Sequence, residues 1–368
     1  MKRGCVIGYD INEKGCQISY YDDSMEEPDT MMASSNNYLI PLVLGYFKDR
    51  WVFGKEAKRL AVVGEDCTET DLYGKAKRRE KVSLAGKTYD AVWLLAKYIS
   101  LTLQDFENIQ YLTFTTPETD VDMAKMLKGI GQHIGVDKEI INVQDYKESF
   151  CQYMIFQPKE LWQYESALFY CDEDRIKAYM LRRLRVDASH GMNSFVTVDE
   201  VANAQRKELE ALYPIMNKEK SPDESFKSMI ENVFEKKVIS SVYLTGEGFE
   251  KNWYPNSLRV LCNGRRAFMG NNLYSKGACY KSIRKCEPND DGPIYLDETK
   301  LTERICLRMR VDGQEGWYPL VTWGTHWYEA DGQWEVLLED ASDIEILVES
   351  LVDEEVQVEK VSLEGLPK

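Results

Sequence analysis

The sequence predicts an α/β protein followed by a small all-β domain. Three observations carry this: two apolar hairpins far apart in the chain, a strand–helix–strand run between them, and a change to alternating, aromatic-rich texture beyond Lys285. Strand, helix and strand in that order favour a parallel unit whose strands are buried on both faces.

The run CVIGYDINEKGCQISYY, residues 5–21, places two apolar strands around a polar turn containing Asp10, Asn12, Glu13, Lys14 and Gly15. Residues 38–61 add a strand pair around Asp49 and Arg50, and a helix that begins after Gly54. Over 89–106 the apolar Val92, Leu95, Ala96, Ile99, Leu103 and Phe106 recur at three-four spacing, the pattern of an amphipathic helix with one buried face. A strand at 111–115 stops at Thr116-Pro117. Met123, Leu127, Ile130 and Ile134 then mark another helical face before a short strand at 140–143. A further hairpin is expected at 165–183, with an acidic turn between strands at 167–170 and 176–181. Helices over 201–216 and 222–236 lead to a strand at 239–245 and the turn Gly246-Glu247-Gly248. This element order echoes the first half, so a duplicated layout is expected, although the halves share no obvious identity. The segment KCEPNDDGP, residues 285–293, has linker composition. Beyond it Ile305, Leu307, Met309 and Val311 alternate with polar neighbours, as do Val356 and Val358, which predicts a β-sandwich-like domain over 294–368.

At 368 residues the chain exceeds the usual size of one core, and 43% hydrophobic residues with eight Trp and twenty-two Tyr place it among globular proteins. Its net charge of -16 repels phosphate backbones and anionic headgroups, so neither nucleic acid nor a membrane is an expected partner. No run approaches the roughly 20 apolar residues of a membrane span, and the start Met1-Lys2-Arg3-Gly4-Cys5 enters a strand at once, so a cytoplasmic location is expected. Nine Cys without a C-x-x-C pair fit reduced thiols. His133, His190 and His326 lie far apart, without the local signature of a zinc site.

Four runs point to a family. Residues 7–21, with Asp10 at a strand end, resemble the phosphate-1 hairpin of the actin-like ATPase superfamily. Residues 39–61, with Pro41, Gly54, Ala57 and Lys58, look like a segment of its DnaK-type heat-shock chaperones. Residues 108–154 resemble the chaperone stretch that ends in the connecting helix, with Gln144 and Asp145 where an Asn and a Glu would stand. Residues 241–282, with Gly246, Gly248, Gly277 and Ala278, are similar to the adenosine motif. All four appear in family order. The resemblance implies a two-lobed actin-like ATPase fold of duplicated ribonuclease-H-like lobes, lobe I over about 1–160 and lobe II over about 161–285. The outer part of lobe II would be trimmed, since 183–239 leave room for little more than two helices.

The resemblance further implies ATP or ADP with Mg²⁺ between the lobes, its phosphates gripped by backbone N–H groups of the two hairpin turns. Asp10, Asn12, Gly15, Asp172, Gly246, Glu247 and Gly248 are then the cofactor-binding candidates, with Asp10 and Asp145 as metal-binding and catalytic residues. The chain departs from that pattern at both turns. The first has a single late Gly, and the second, Cys171-Asp172-Glu173-Asp174-Arg175-Ile176, has carboxylates where the family has glycines. Two like charges about 4 Å apart repel by about 4 kcal/mol at an effective dielectric of about 20, so a triphosphate meets an unfavourable field there unless a cation intervenes. Plainer readings stand beside each candidate: an acidic β-turn for Asp172, an N-cap for Asp145, a turn residue for Asp10, and a simple connection for Gly246-Glu247-Gly248.

The expected protein is a non-hydrolysing or weakly nucleotide-binding, chaperone-related scaffold or regulator with a protein or peptide partner, not an efficient ATPase. In it a bound cofactor is dispensable. The alternative is an authentic Mg-ATP-dependent switch in which Asp10 organises Mg²⁺ and Asp145 positions a water. Trp317, Tyr318, Trp323, Trp327, Tyr328 and Trp334 form either a binding face or the core of the β domain.

Overall fold

The structure, a computed structural model, describes residues 4–34, 37–63, 67–184, 194–205, 221–287, 292–330, 336–337, 343–351 and 356–363. The chain divides into two units, Met1–Leu181 with Asp199–Asp290, and Arg182–Val198 with Asp291–Lys368. Among the described residues no helix is long and apolar enough to cross a membrane. None of the nine cysteines is joined in a disulfide.

In the first unit, β1 (Cys5–Ile11) and β2 (Gly15–Tyr21) form an antiparallel hairpin with Asp10 opposite Gln17. Both are buried on both faces over most of their length, which is why they read as continuous apolar runs. Short strands β3 (Asp29–Thr30) and β4 (Ile40–Pro41) pair along β2. A small sheet follows from β5 (Leu44–Phe47), β6 (Arg50–Phe53) and, after α1 (Gly54–Val63), β7 (Thr68–Glu69). Next come α2 (Leu72–Lys77), the hairpin of β8 (Lys81–Leu84) and β9 (Lys87–Asp90), and α3 (Ala91–Thr102). The Asp90 side chain starts α3 by accepting from Val92 N and Trp93 N, two donors the helix cannot satisfy itself. β10 (Ile109–Thr116) then runs parallel to β1, α4 (Val121–His133) crosses, β11 (Ile141–Asp145) runs parallel to β10, and α5 (Tyr146–Ile155) closes the series. The sheet order is β11-β10-β1-β2-β3.

A second sheet repeats this plan. β12 (Glu165–Cys171) and β13 (Arg175–Leu184) form an antiparallel hairpin, β14 (Phe195–Gln205) follows, and α6 (Pro222–Phe234) crosses to β15 (Ile239–Thr245), parallel to β12. Then α7 (Pro255–Leu261) leads to β16 (Arg266–Met269), parallel to β15, and α8 (Leu273–Cys286) closes the series. The order is β16-β15-β12-β13-β14. A register break recurs at the first pair of both parallel ladders, Cys5/Val6 and Glu165/Ser166. Asp10 pairs with Thr115 and Gln17, and Tyr170 with Thr245 and Lys177, so Tyr170 holds in the second sheet the place of Asp10 in the first.

One expected helix is corrected. Residues 201–205 belong to β14, and the remainder of the stretch expected to be helical, 206–216, lies outside the described residues. Phe195, Val196 and Val198 are buried, and side chains that pack on a pleated, half-buried surface let tertiary pairing override a weak helical pattern. Among the described residues, the span between 183 and 239 holds β14 and α6.

α8 packs along α5 and against β1 and β10 at backbone contact distance. A Cβ at Gly277 would fall 2.0 Å from Ser149 O, and one at Gly8 would fall 2.2 Å from Ser275 O. Gly277 therefore serves the helix crossing. Hydroxyls satisfy the buried polar groups there: Ser282 Oγ donates to Ile7 O at 3.0 Å and is shared with Thr113 Oγ1 at 2.7 Å, while Ser149 meets Thr115 at 2.7 Å and Ser275 meets Ser19 at 2.8 Å. The buried Glu148 on α5 takes the Lys281 ammonium of α8 at 2.9 Å. Under the second sheet, Phe169, Phe226 and Phe249 form one cluster with Ile230, Val242 and Leu244. There Asp223 of α6 starts a neighbouring helix: its carboxylate accepts from Asn256 N and Ser257 N, each at 2.8 Å, and from Ser257 Oγ at 2.7 Å. The N-cap of α7, Tyr254, makes no side-chain capping bond of its own.

In the second unit, β17 (Ile294–Tyr295) pairs in parallel with Phe195 and Val196 of β14. β18 (Glu303–Val311), β19 (Gln314–Val321), β20 (Asp343–Ser350) and β21 (Val356–Ser362) form an antiparallel sheet of order β19-β18-β20-β21. Among the described residues this is one sheet, where the sequence suggested a sandwich. Trp323 is buried with Phe195 and Leu296, its ring 5.9 Å from that of Phe195, whereas Trp327 is 58% exposed. Trp334 lies outside the described residues.

Two substitutions test this packing. Gly277→Ala should lower the urea midpoint, because inserting a methyl against the Ser149 backbone costs about 1–3 kcal/mol or more and outweighs the ~1 kcal/mol that alanine gains as a helix former. A raised midpoint would show that α5 and α8 do not meet so closely. Asp223→Ala, which removes three charge-assisted bonds and uncaps α7, should cost about 2–4 kcal/mol in the same measurement, and a loss under about 0.5 kcal/mol would count against the capping role.

Candidate functional site

The carboxyl ends of β1, β12 and β15 border a cleft of about 360 Å³ within the first unit, the usual position of ligand crevices in open α/β sheets. Asp10, Tyr170 and Thr245 reach it from the strands, and Tyr146 and Tyr274 from the first turns of α5 and α8. The α5–α8 crossing stacks these two tyrosines face to face, with ring centroids 3.7 Å apart and planes within 7°.

Asp10 is 3% exposed, and its Oδ1 accepts the Tyr146 hydroxyl at 2.8 Å. Tyr146 Oη in turn accepts from Asn12 Nδ2 at 3.0 Å. Burial pushes the Asp10 carboxyl up to about 7, and the hydrogen bond from Tyr146 offsets only part of that rise. Lys14 and Glu247 form an ion pair at the cleft mouth. Burial works against the charge on Lys14, but Glu247, assisted by Glu173 and Asp172, holds it above its ordinary value.

The remaining predicted residues take structural places. Asn12 and Asp172 follow the last residues of β1 and β12, and they behave alike. Asn12 Oδ1 accepts from Lys14 N at 2.9 Å and Gly15 N at 3.3 Å, while Asp172 Oδ1 accepts from Asp174 N at 2.8 Å and Arg175 N at 2.7 Å. Each residue also donates its own N–H across its turn, Asn12 to Gly15 O at 3.0 Å and Asp172 to Arg175 O at 3.1 Å. Both are side-chain-closed turns, the plainer reading of Asp172. Gly15 lets β2 approach β4, since a Cβ there would sit 2.4 Å from Ile40 O. Asp145 caps α5, accepting from Glu148 N at 2.8 Å. Gly246 has φ +102°, and a side chain on it would meet Cys171 O at 2.1 Å; Gly248 packs behind it against Cys171 Sγ. Of the predicted set, Asp10, Asn12, Gly246 and Glu247 line the cleft.

Sequence reasoning missed the tyrosines. Tyr38, Tyr146, Tyr170 and Tyr274 converge on this one cleft from four segments far apart in the chain. The only signal available was the total of twenty-two tyrosines, which does not say where they meet.

The residues present do not fit a Mg²⁺-bound triphosphate. Among the described residues no three His, Cys, Asp or Glu side chains gather as a metal site, so Asp10, Asp145 and Asp172 form no shared cradle. Magnesium demands near-octahedral oxygen donors, and Asp10 Oδ1 already accepts the Tyr146 hydroxyl. The backbone N–H groups that would grip phosphates already serve Asn12 and Asp172.

Fold and cleft together define a mixed α/β protein with two sheets of like topology and a polar, tyrosine-lined cleft at their strand ends. The chain belongs to the family described as "family of unknown function (DUF5716) C-terminal", which matches residues 27–298. Residues 300–368 match a domain of unknown function, DUF8552. No curated protein matches the chain.

The buried carboxyl sets a pH dependence. Asp10 binds its proton more tightly folded than unfolded, so its stabilising share is complete below about pH 4 and is lost as pH rises through about 7. Asp10→Asn keeps an acceptor for Tyr146 and removes the ionisation. It should flatten the fall in Tm between about pH 5 and 8 and raise stability at about pH 8 by up to about 4 kcal/mol. An unchanged pH profile would mean that the carboxyl ionises freely in the folded protein.

Proposed function

We propose that the first unit is an actin-like ATPase fold nearest to the DnaK-type chaperones, that its cleft no longer holds a nucleotide productively, and that the protein is a non-hydrolysing scaffold or regulator for a protein or peptide partner. The repeated strand order and register break and the crossing helices that close each half support the fold reading. One observation carries the functional reading: both hairpin turns spend their N–H groups on their own side chains, Asn12 in the first and Asp172 in the second. In the superfamily these turns grip phosphates, and a phosphate would have to displace a carboxylate from one of them and an amide from the other.

A partner is supported by aromatic surface. In the first unit Trp93 is 38% exposed, stacks on Tyr89 with centroids 5.4 Å apart and meets Trp51 edge-on; in the second, Trp327 is exposed beside Tyr328. Trp and Tyr are enriched at interface centres. The alternative, a Mg-ATP switch, draws support from the cleft itself, which stays open beside Asp10 and Gly246.

Calorimetry separates the two. Titration with ATP and Mg²⁺ should give no binding heat at millimolar nucleotide, and phosphate release should not exceed the uncatalysed rate. Turnover that disappears in an Asp10→Ala variant would establish the switch and remove the scaffold reading.

A further inference from the structure

The packed helices α3 and α4 border another recess of the first unit, a groove of about 350 Å³ that shares no lining residue with the cleft at the strand ends. Of the residues that line it, Ala96, Met126 and Ile130 are buried and form its base, whereas Arg79, Trp93, Lys125 and His133 are exposed and form its rim. Backbone groups in a helix interior are already paired, so the base offers a guest hydrophobic contact and little hydrogen bonding. The Trp93 ring is exposed yet held, stacked on Tyr89 and 5.8 Å from the Trp51 ring. Little side-chain freedom is then left to lose on binding.

A glycine keeps the groove open. Gly129 lines it from within α4, a place where glycine weakens a helix. Two residues on, Gly131 has a packing reason, because a Cβ there would sit 2.5 Å from Ile141 Cδ1. At Gly129 a Cβ would meet nothing within 4 Å, so no neighbour requires the glycine.

The rim runs against the charge of the chain. The net charge is -16, yet Arg79 and Lys125 stand here against Asp90 alone. Asp90 turns its Oδ1 to the start of α3, accepting from Val92 N at 2.8 Å and Trp93 N at 3.2 Å. Arg78 pairs with Asp71 and Glu80, whereas Arg79 and Lys125 pair with no carboxylate among the described residues. Unpaired cations beside an apolar base complement a carboxylate beside an apolar side chain. A nucleic-acid backbone fits poorly, since the negative charge of the chain as a whole repels it.

We propose that the α3–α4 groove docks a peptide segment of a partner protein in which an apolar anchor is flanked by Asp or Glu. This rests on the scaffold reading and names the chemistry of the partner that a scaffold would hold.

The test is selection of a random dodecapeptide library displayed on phage against the full chain, followed by calorimetry with the synthesised peptides. The selected peptides should share a large apolar residue with acidic neighbours. Gly129→Leu fills the groove and replaces a poor helix former, so Tm should hold or rise while peptide affinity falls about tenfold or more. Lys125→Glu, on an exposed residue, should leave Tm unchanged and weaken the same peptides about tenfold. A library that yields no binders, or binders without acidic residues, overturns the proposal. Acidic binders that ignore Gly129→Leu overturn the groove and leave the scaffold reading standing, because they dock elsewhere. Self-association abolished by Gly129→Leu would put a second copy of the chain in the groove and overturn the partner peptide. Failure of the scaffold reading shows separately, as ATP turnover lost in Asp10→Ala.

Discussion

The first unit depends on the close crossing of α5 and α8. With Gly277 on one helix and the Ser149 backbone on the other, no side chain separates them, and paired hydroxyls from the adjoining strands satisfy the polar groups this closeness buries. The same approach sets the starts of the two helices side by side, so the residues that open them, Tyr146 and Tyr274, must share one space and do so by stacking. The floor of the cleft is thus a consequence of helix packing. A longer residue at position 277 would push apart the rings as well as the helices.

That floor determines the electrostatics above it. The buried Asp10 carboxylate loses its hydration and regains one hydrogen bond from Tyr146, which is too little to restore its ordinary acidity. Burial therefore holds the Asp10 carboxyl well above the ordinary carboxylate range, at about 7. The turns beside it close on themselves through Asn12 and Asp172, each of which accepts from two backbone N–H groups of its own turn.

Much of the local structure could be read from the chain. The hairpin around Asp10, the amphipathic helix over 91–102 and the strand ending at Thr116-Pro117 follow from patterns a few residues long, because buried strands and one-sided helices leave a period behind. Asp145 as a helix cap and Asp172 as a turn residue were legible for the same reason, since each acts on N–H groups two or three positions away. β14 was misread because its partner strands, and not its own composition, decide between strand and helix there.

By itself the sequence determined the α/β alternation, the all-β tail, the acidic net charge and the acidic, glycine-free second turn, all of them properties of short windows or of the whole composition. Only the tertiary structure decided that Gly277 belongs to a helix crossing, that Tyr170 occupies in the second sheet the place Asp10 holds in the first, and that four tyrosines line one cleft together with Asp10. These relations join separate segments of the chain. Pairing register and helix packing set such contacts, and no local pattern in the chain encodes them.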